Sequence, residues 1–465
     1  MRPQSDSHAN HRESKALNRH WWQHIGRAAG LVLALLLCAN GLSAYSVLTH
    51  EEIVDLAWTE GIRPLLLLRF PELTAEQITE AHGYAYGGAV IQDLGYYPFG
   101  STEFSDLVHY VRSGDFVLEL LTESRDADEY AFALGALAHY TSDTVGHPTV
   151  NRAVAIEYPN LRLKFGDSVR YAQDHTAHLK TEFGFDMVQV AKDRYAPQNY
   201  HDFIGFQVSK SLLERVFPIV YGLELKDVLP REDLAIGSYR YSVSRLIPKM
   251  TQVALRTHKK EMIHEKPDFA KRKFIYRLSR TEYERQWGNG YQREGIGTRF
   301  LVLLFRIMPK VGPFKALAFN NPTSQTEDMY FKSINSTVDQ YQIFLKEIRA
   351  DSLALPDEDL DTGKMTKAAE YTLTDKAYAK LIVQLTDRKL VHTSSELRDN
   401  ILAFYSDLSA PFDTKKEPGQ WQKVLDSLEQ LKSATLLPTA TDVPPRANPT
   451  IPAQTTATPV IPETK

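Results

Sequence analysis

The chain has 465 residues, 43% of them hydrophobic and 24% charged, so it can bury a sizeable core and most of it is not disordered. A net charge of −4 and a pI near 6.4 remove any whole-chain argument for nucleic-acid binding. There is one cysteine, Cys38, which excludes a disulfide framework and a thiolate metal site. Any transition metal must therefore be held by His, Asp, Glu or backbone groups.

Residues 1–44 read as a secretory signal. A polar stretch carrying Arg12, Lys15, Arg19 and Arg27 precedes the apolar run 28–37, and Gly41-Leu42-Ser43-Ala44 offers a cleavage site after Ala44. The run is short for a spanning helix of about 20 residues. Cleavage would make Tyr45 the new N-terminus of a secreted or periplasmic protein. Retention of the segment would leave it membrane-anchored.

Helical signals then dominate. Thr49-His-Glu-Glu52 is a capping-box pattern continued by Ile53, Leu56 and Ala57, and Thr74-Ala-Glu-Gln77 repeats the signature. Residues 127–146 carry a stripe of Tyr130, Leu134, Leu137 and Ala138, with Pro148 as the expected stop. A further helix is expected from Ser168 to Glu182, ended by Gly184. Later helices are expected over 206–216, 325–349, 365–387, 394–408 and 419–432. Strand signals are sparse, so the fold class is all-α.

Residues 256–280 hold nine Lys/Arg against three Asp/Glu, with Phe269, Phe274 and Tyr276 among them. They read as a solvated helix face or as a surface for anionic lipid or nucleic acid. Residues 355–365 read as an acidic linker. From about Pro438 the chain is rich in Pro and Thr and reads as a disordered tail. The expected divisions are 1–44, 45–250, 251–435 and 436–465.

Within 127–146, His139, Asp143 and His147 are spaced four and four. That puts two imidazoles and a carboxylate on one helix face, a turn apart. Unpaired, such groups are costly to bury, and a metal removes that cost. His178 and Glu182 repeat the spacing, with His175 three residues before His178. This is not the His-Glu-x-x-His arrangement of zinc proteases, because Glu182 stands where a ligand would. His50, Asp93 and His109 are individually weaker candidates. Gly87 and Gly88, just before Asp93, allow close backbone approach.

Taken together, these residues over about 45–190 resemble the zinc-dependent phospholipase C family. That family also includes the glycosylphosphatidylinositol-specific phospholipase D catalytic domain and single-strand-specific zinc nucleases. The short Asp143-to-His147 gap looks like the phospholipase D branch. The resemblance implies an all-helical domain with up to three zinc ions. Tyr45, standing where the family has Trp, would chelate one zinc through its own amine and carbonyl, joined by His50. Asp143 would bridge that zinc to a second held by Asp93, His109 and His139. His147, His178 and Glu182 would hold the third.

Asp93 would orient or deprotonate the attacking water. Tyr84, Tyr86, Tyr96 and Tyr97 either line the approach or serve as ordinary aromatic packing. The implied activity is phosphodiester hydrolysis, with a phospholipid substrate and peripheral membrane contact. The alternatives are a nuclease of the same fold and a non-catalytic zinc-stabilised binding protein.

Overall fold

A computed structural model describes residues 47–191, 205–247 and 319–434. The signal segment, Tyr45, the basic stretch 256–280, the division at residue 250 and the Pro/Thr-rich tail lie outside the described residues.

The architecture is all-α, and among the described residues the only sheet is a hairpin of two short strands. In chain order the helices are α1 (Val47–Ala57), α2 (Arg63–Arg69), α3 (Ala75–Ala89), α4 (Thr102–Tyr110), α5 (Ser113–Glu123), α6 (Ala127–Glu157), α7 (Pro159–Phe165) and α8 (His175–Ala191). After these come α9 (Lys210–Tyr221), α10 (Leu225–Val228), α11 (Glu232–Tyr241) and α12 (Ser324–Arg349). The strands β1 (Glu358–Asp359) and β2 (Lys364–Met365) precede α13 (Thr372–Asp387), α14 (Ser395–Phe404) and α15 (Pro418–Ser433). No described helix is long and apolar enough to cross a membrane.

Helix α6 is the axis of the molecule. It packs on α3 on one side and on α12 on another. Its contact with α3 is unusually close. A Cβ on Gly135 would stand 2.0 Å from the Ala85 carbonyl oxygen, and one on Gly88 would stand 2.0 Å from that of Phe132. Only glycine lets the two backbones approach so closely. On the other flank the Tyr341 hydroxyl donates to the Leu134 carbonyl at 2.7 Å, tying α12 to α6. One hydrophobic core runs from Val47 through α6 to Leu431, so the described helices after residue 319 share it with those before residue 248.

Several local expectations hold. Thr74 caps α3 with the reciprocal bonds of a capping box, Gln77 N to Thr74 Oγ1 at 3.3 Å and Thr74 N to Gln77 Oε1 at 2.9 Å. Helices α12 and α15 fall within a residue of their expected spans.

Others are corrected. Pro148 does not stop α6, which continues to Glu157. A proline ring removes the bond to the carbonyl four residues back, here that of Thr144, and a neighbour covers it. Gly363, at φ +60°, sits so close that a Cβ there would lie 2.1 Å from the Thr144 oxygen. Helix α8 starts at His175, seven residues later than expected (175 − 168), and runs through Gly184. Thr49 does not cap α1, because α1 already includes Val47. Its first turn is instead held by Asp186 of α8, which accepts from Leu48 N at 3.1 Å and from Thr49 Oγ1 at 2.7 Å.

The stretch 355–365 is not a linker. Its carbonyls accept from Tyr140 and Ser113, and Asp357 Oδ1 accepts from the amides of Gly114 and Asp115 at 3.1 and 3.2 Å. The acidic side chains that look solvent-seeking in sequence instead satisfy the N-terminal amides of α5.

Candidate metal centre

Four elements bring buried ligand-type groups together beside the middle of α6. Helix α1 supplies His50, the turn Ile91–Tyr96 supplies Asp93, α4 supplies His109, and α6 supplies His139 and Asp143. All five are buried. The α-helical spacing read from the sequence places His139 and Asp143 on one face, with His139 Nε2 3.1 Å from Asp143 Oδ2. His109 Nε2 stands 3.5 Å from Asp143 Oδ2, 3.5 Å from Asp93 Oδ1 and 3.5 Å from His139 Nε2. On the other side of the same carboxylate, His50 Nε2 lies 3.6 Å from Asp143 Oδ1.

These separations are those of a cluster that could hold a metal ion. Hydrogen bonds between such groups run from about 2.7 to 3.2 Å, and most of the pairs are longer. Two ligands of one tetrahedral zinc, each at about 2.0–2.1 Å, stand about 3.3–3.4 Å apart. The observed values cluster around that figure. Two triads, His50–His139–Asp143 and Asp93–His109–His139, each gather three ligand atoms within 4.8 Å of one another.

The imidazoles are also oriented for ligation. His139 Nδ1–H donates to the Ala89 carbonyl at 2.9 Å, and His109 Nδ1–H donates to the Ser105 carbonyl at 2.8 Å. Both bonds fix the tautomer that turns Nε2 into the cluster, as outer-shell partners of metal-bound histidines do. The glycine contact between α3 and α6 is what brings the Ala89 carbonyl within reach of His139. The Asp93 turn is pinned by Gln92 Nε2 on the Ala136 carbonyl at 3.0 Å and by the Ser105 hydroxyl on the Gln92 carbonyl at 2.5 Å.

The remaining expected ligands form a second group toward the C-terminal half of α6. His178 Nδ1 and Glu182 Oε1 of α8 are 3.4 Å apart, with His178 Nε2–H donating to the Val169 carbonyl at 2.6 Å. His147 does not close with them into a triad as tight as the first two. Its Nδ1 is instead 3.4 Å from Oδ1 of Asp361, a residue the sequence reading passed over. Asp361 sits in the β1–β2 connection, far along the chain, where only an acidic composition was visible. His175 is exposed, its ring tilted against that of Tyr171 at 4.3 Å.

Of the four tyrosines, Tyr86 and Tyr97 serve in packing. The Tyr86 hydroxyl donates to Asp55 at 2.6 Å, and the Tyr97 ring meets Tyr239 edge-on at 5.0 Å. Tyr84 is half-buried, and Tyr96 lies 6.1 Å from the His109 ring.

The electrostatics ask for cations. Asp93, Asp143, Glu182 and Asp361 are all buried, and among the described residues no lysine or arginine pairs with any of them. No hydrogen bond satisfies Asp93 Oδ1, either oxygen of Asp143, Asp361 Oδ1 or either nitrogen of His147. Burial pushes the Glu182 carboxyl well above its ordinary range, and the charges of Asp93, Asp143, Asp361 and Asp186 push it further. Burial likewise raises Asp93, against the opposing pull of His109 and His139. Asp143 goes the other way, because His139 and His147 outweigh its burial and hold it well below the usual carboxylate range. Unsatisfied buried carboxylates and imidazoles are the donor set that suits divalent zinc, so the residues fit that ion.

Residues 49–229 match the zinc dependent phospholipase C family, an interval that contains every expected ligand except Tyr45. No curated protein and no solved structure matches the chain. The segment from Thr49 to Leu229 therefore belongs to the zinc-dependent phospholipase C family.

Proposed function

We propose that the chain is a zinc-dependent phosphodiesterase that cleaves phospholipids in the manner of phospholipase C. The observation that carries this reading is Asp143. Its two oxygens face different histidines, His50 on one side and His109 with His139 on the other, which suits a carboxylate shared between two metals. His50 and Asp143, completed by the amine and carbonyl of a chain beginning at Tyr45, would hold one zinc. Asp93, His109, His139 and Asp143 would hold the second, and His147, His178 and Glu182 the third.

Zinc bound there supplies Lewis-acid polarisation of a phosphodiester and a water acidified toward neutrality. The protein's own part is orientation and proton handling. The Ala89 and Ser105 carbonyls keep the Nε2 atoms of His139 and His109 pointed inward. Asp93 would take the proton of the attacking water. Its Oδ1 faces His109 at 3.5 Å and no hydrogen bond satisfies it. Cleavage after Ala44 would tie assembly of the site to export.

The test is hydrolysis by the purified, zinc-loaded chain of phosphatidylcholine vesicles and, separately, of single-stranded DNA and RNA. Release of diacylglycerol and a phosphorylated headgroup, abolished by chelation and restored by zinc, is the expected result. Nucleotide release without lipid cleavage would move the assignment to a nuclease of the same fold. Zinc binding without either activity would make the protein a non-catalytic zinc-stabilised one.

A further inference from the structure

We propose that Asp361, which lies outside the segment matching the phospholipase C family, is a metal ligand that joins His147, His178 and Glu182. The proposal rests on the zinc reading given above. Asp361 is 0% exposed. Its Oδ2 is already occupied, accepting the hydroxyl of Tyr110 at 2.9 Å and that of Tyr371. Those two phenols fix the carboxylate and leave Oδ1 facing His147 Nδ1 at 3.4 Å. No hydrogen bond satisfies that Oδ1 or either nitrogen of His147. A hydrogen bond would draw the pair to about 2.7–3.0 Å. The separation found is that of two ligands on one zinc, and it equals the separation of His178 Nδ1 and Glu182 Oε1.

The backbone around Asp361 is arranged to hold it there. Gly363 lies over the Thr144 carbonyl that Pro148 frees in α6, so the hairpin docks one turn from His147. Leu360 N donates to the His109 carbonyl at 3.1 Å. Asn151 joins the two ligand pairs. Its side chain donates to the Asp361 carbonyl at 3.0 Å, and its own carbonyl accepts from Val169 N at 2.9 Å. The Val169 carbonyl in turn accepts from His178 Nε2–H.

Two imidazoles and two carboxylates make four protein ligands, the number of a closed structural zinc site rather than an open catalytic one. Two carboxylates also neutralise a dication, where the three ligands within the family segment leave a net positive charge. On this reading the His147 metal anchors the hairpin to α6 and α8, and the phosphodiester chemistry belongs to the sites at Asp143.

The experiment measures zinc per chain and the visible spectrum of the cobalt-substituted full-length protein, for the unmodified chain and for Asp361→Asn, Asp361→Ala and His147→Ala. Asp361→Asn keeps the shape of the side chain and an acceptor for Tyr110 and Tyr371, so it reports on ligation even if the alanine variant does not fold. The expected result is that Asp361→Asn and His147→Ala each lose the same one zinc equivalent, together with the cobalt bands of one four-coordinate centre. A full zinc complement and an unchanged cobalt spectrum in Asp361→Asn would overturn the proposal and leave Asp361 as a residue that orients His147. Failure of the underlying zinc reading looks different: the unmodified chain would hold no zinc, or His147→Ala would lose none.

Discussion

Removing the Asp143 side chain should cost two metals at once. In Asp143→Ala both oxygens go, the one 3.6 Å from His50 and the one 3.1–3.5 Å from His139 and His109. His50→Ala and Asp93→Ala each remove a group that faces one side only, so each should cost one metal. A ligand present at 100 times its dissociation constant adds about 2.7 kcal/mol to stability, so two lost sites withdraw about 5 kcal/mol. For a domain of this size that corresponds to roughly 10 °C in melting temperature. The metal-free baseline moves much less, because His109 and His139, whose protons Asp143 helps to hold, can lose them when the carboxylate is gone.

The measurement is zinc content by elemental analysis, paired with thermal melts of each variant with and without zinc at fixed pH. The zinc-dependent part of the melting shift should shrink by two steps in Asp143→Ala and by one in the others. If Asp143→Ala retains as much zinc as His50→Ala, Asp143 is not shared between metals, and the phosphodiesterase site as drawn is wrong.

Gly135→Ala puts a Cβ 2.0 Å from the Ala85 carbonyl, so α3 and α6 must part. That should cost about 1–3 kcal/mol of unfolding free energy, read from denaturant melts, and zinc affinity should fall with it as the Ala89 carbonyl leaves His139. Glu157, where α6 ends, is raised to about 7 by burial, with Thr326 and Thr181 donating to its oxygens in opposition. A carboxyl raised on folding binds its proton more tightly in the native state. It therefore penalises folding not at all below about pH 4.5, increasingly up to pH 7 and fully above. Glu157→Gln should accordingly stabilise the protein at pH 8 by about 1–3 kcal/mol and leave it unchanged at pH 4; equal melting temperatures at pH 8 would refute this. Finally, a chain beginning at Tyr45 should bind one zinc more than a chain carrying extra residues before it, and equal zinc content would rule out chelation by the terminal amine.

What could be read from the sequence was local. His139, Asp143 and His147, and likewise His178 and Glu182, are visible because helical spacing alone puts residues four apart on one face. The capping box at Thr74 is visible for the same reason. Interactions that cross the chain were not. Thr49 looks like a cap because a cap needs only its own neighbours, whereas the acceptor for that turn comes from Asp186 on another helix. Pro148 looks like a helix stop because nothing near it in sequence reveals Gly363 lying over the carbonyl it frees.

Asp361 is the sharpest case. Pro356, Asp357, Glu358, Asp359 and Asp361 have the composition of a solvated linker, and composition cannot show that Tyr110, Tyr371, Thr374 and the α5 amides await those groups in the interior. The consequence reaches past one residue. The segment matching the family ends at residue 229, yet α12 covers α6 through the Tyr341–Leu134 bond and the hairpin covers the Thr144 carbonyl that Pro148 frees. A fragment ending near residue 250 would expose both faces of α6 that the later helices bury. It would also lack the Asp361 carboxylate beside His147. Its weakness in zinc binding would then report a missing half of the core, not a misassigned ligand, so metal assignments here belong to the whole chain.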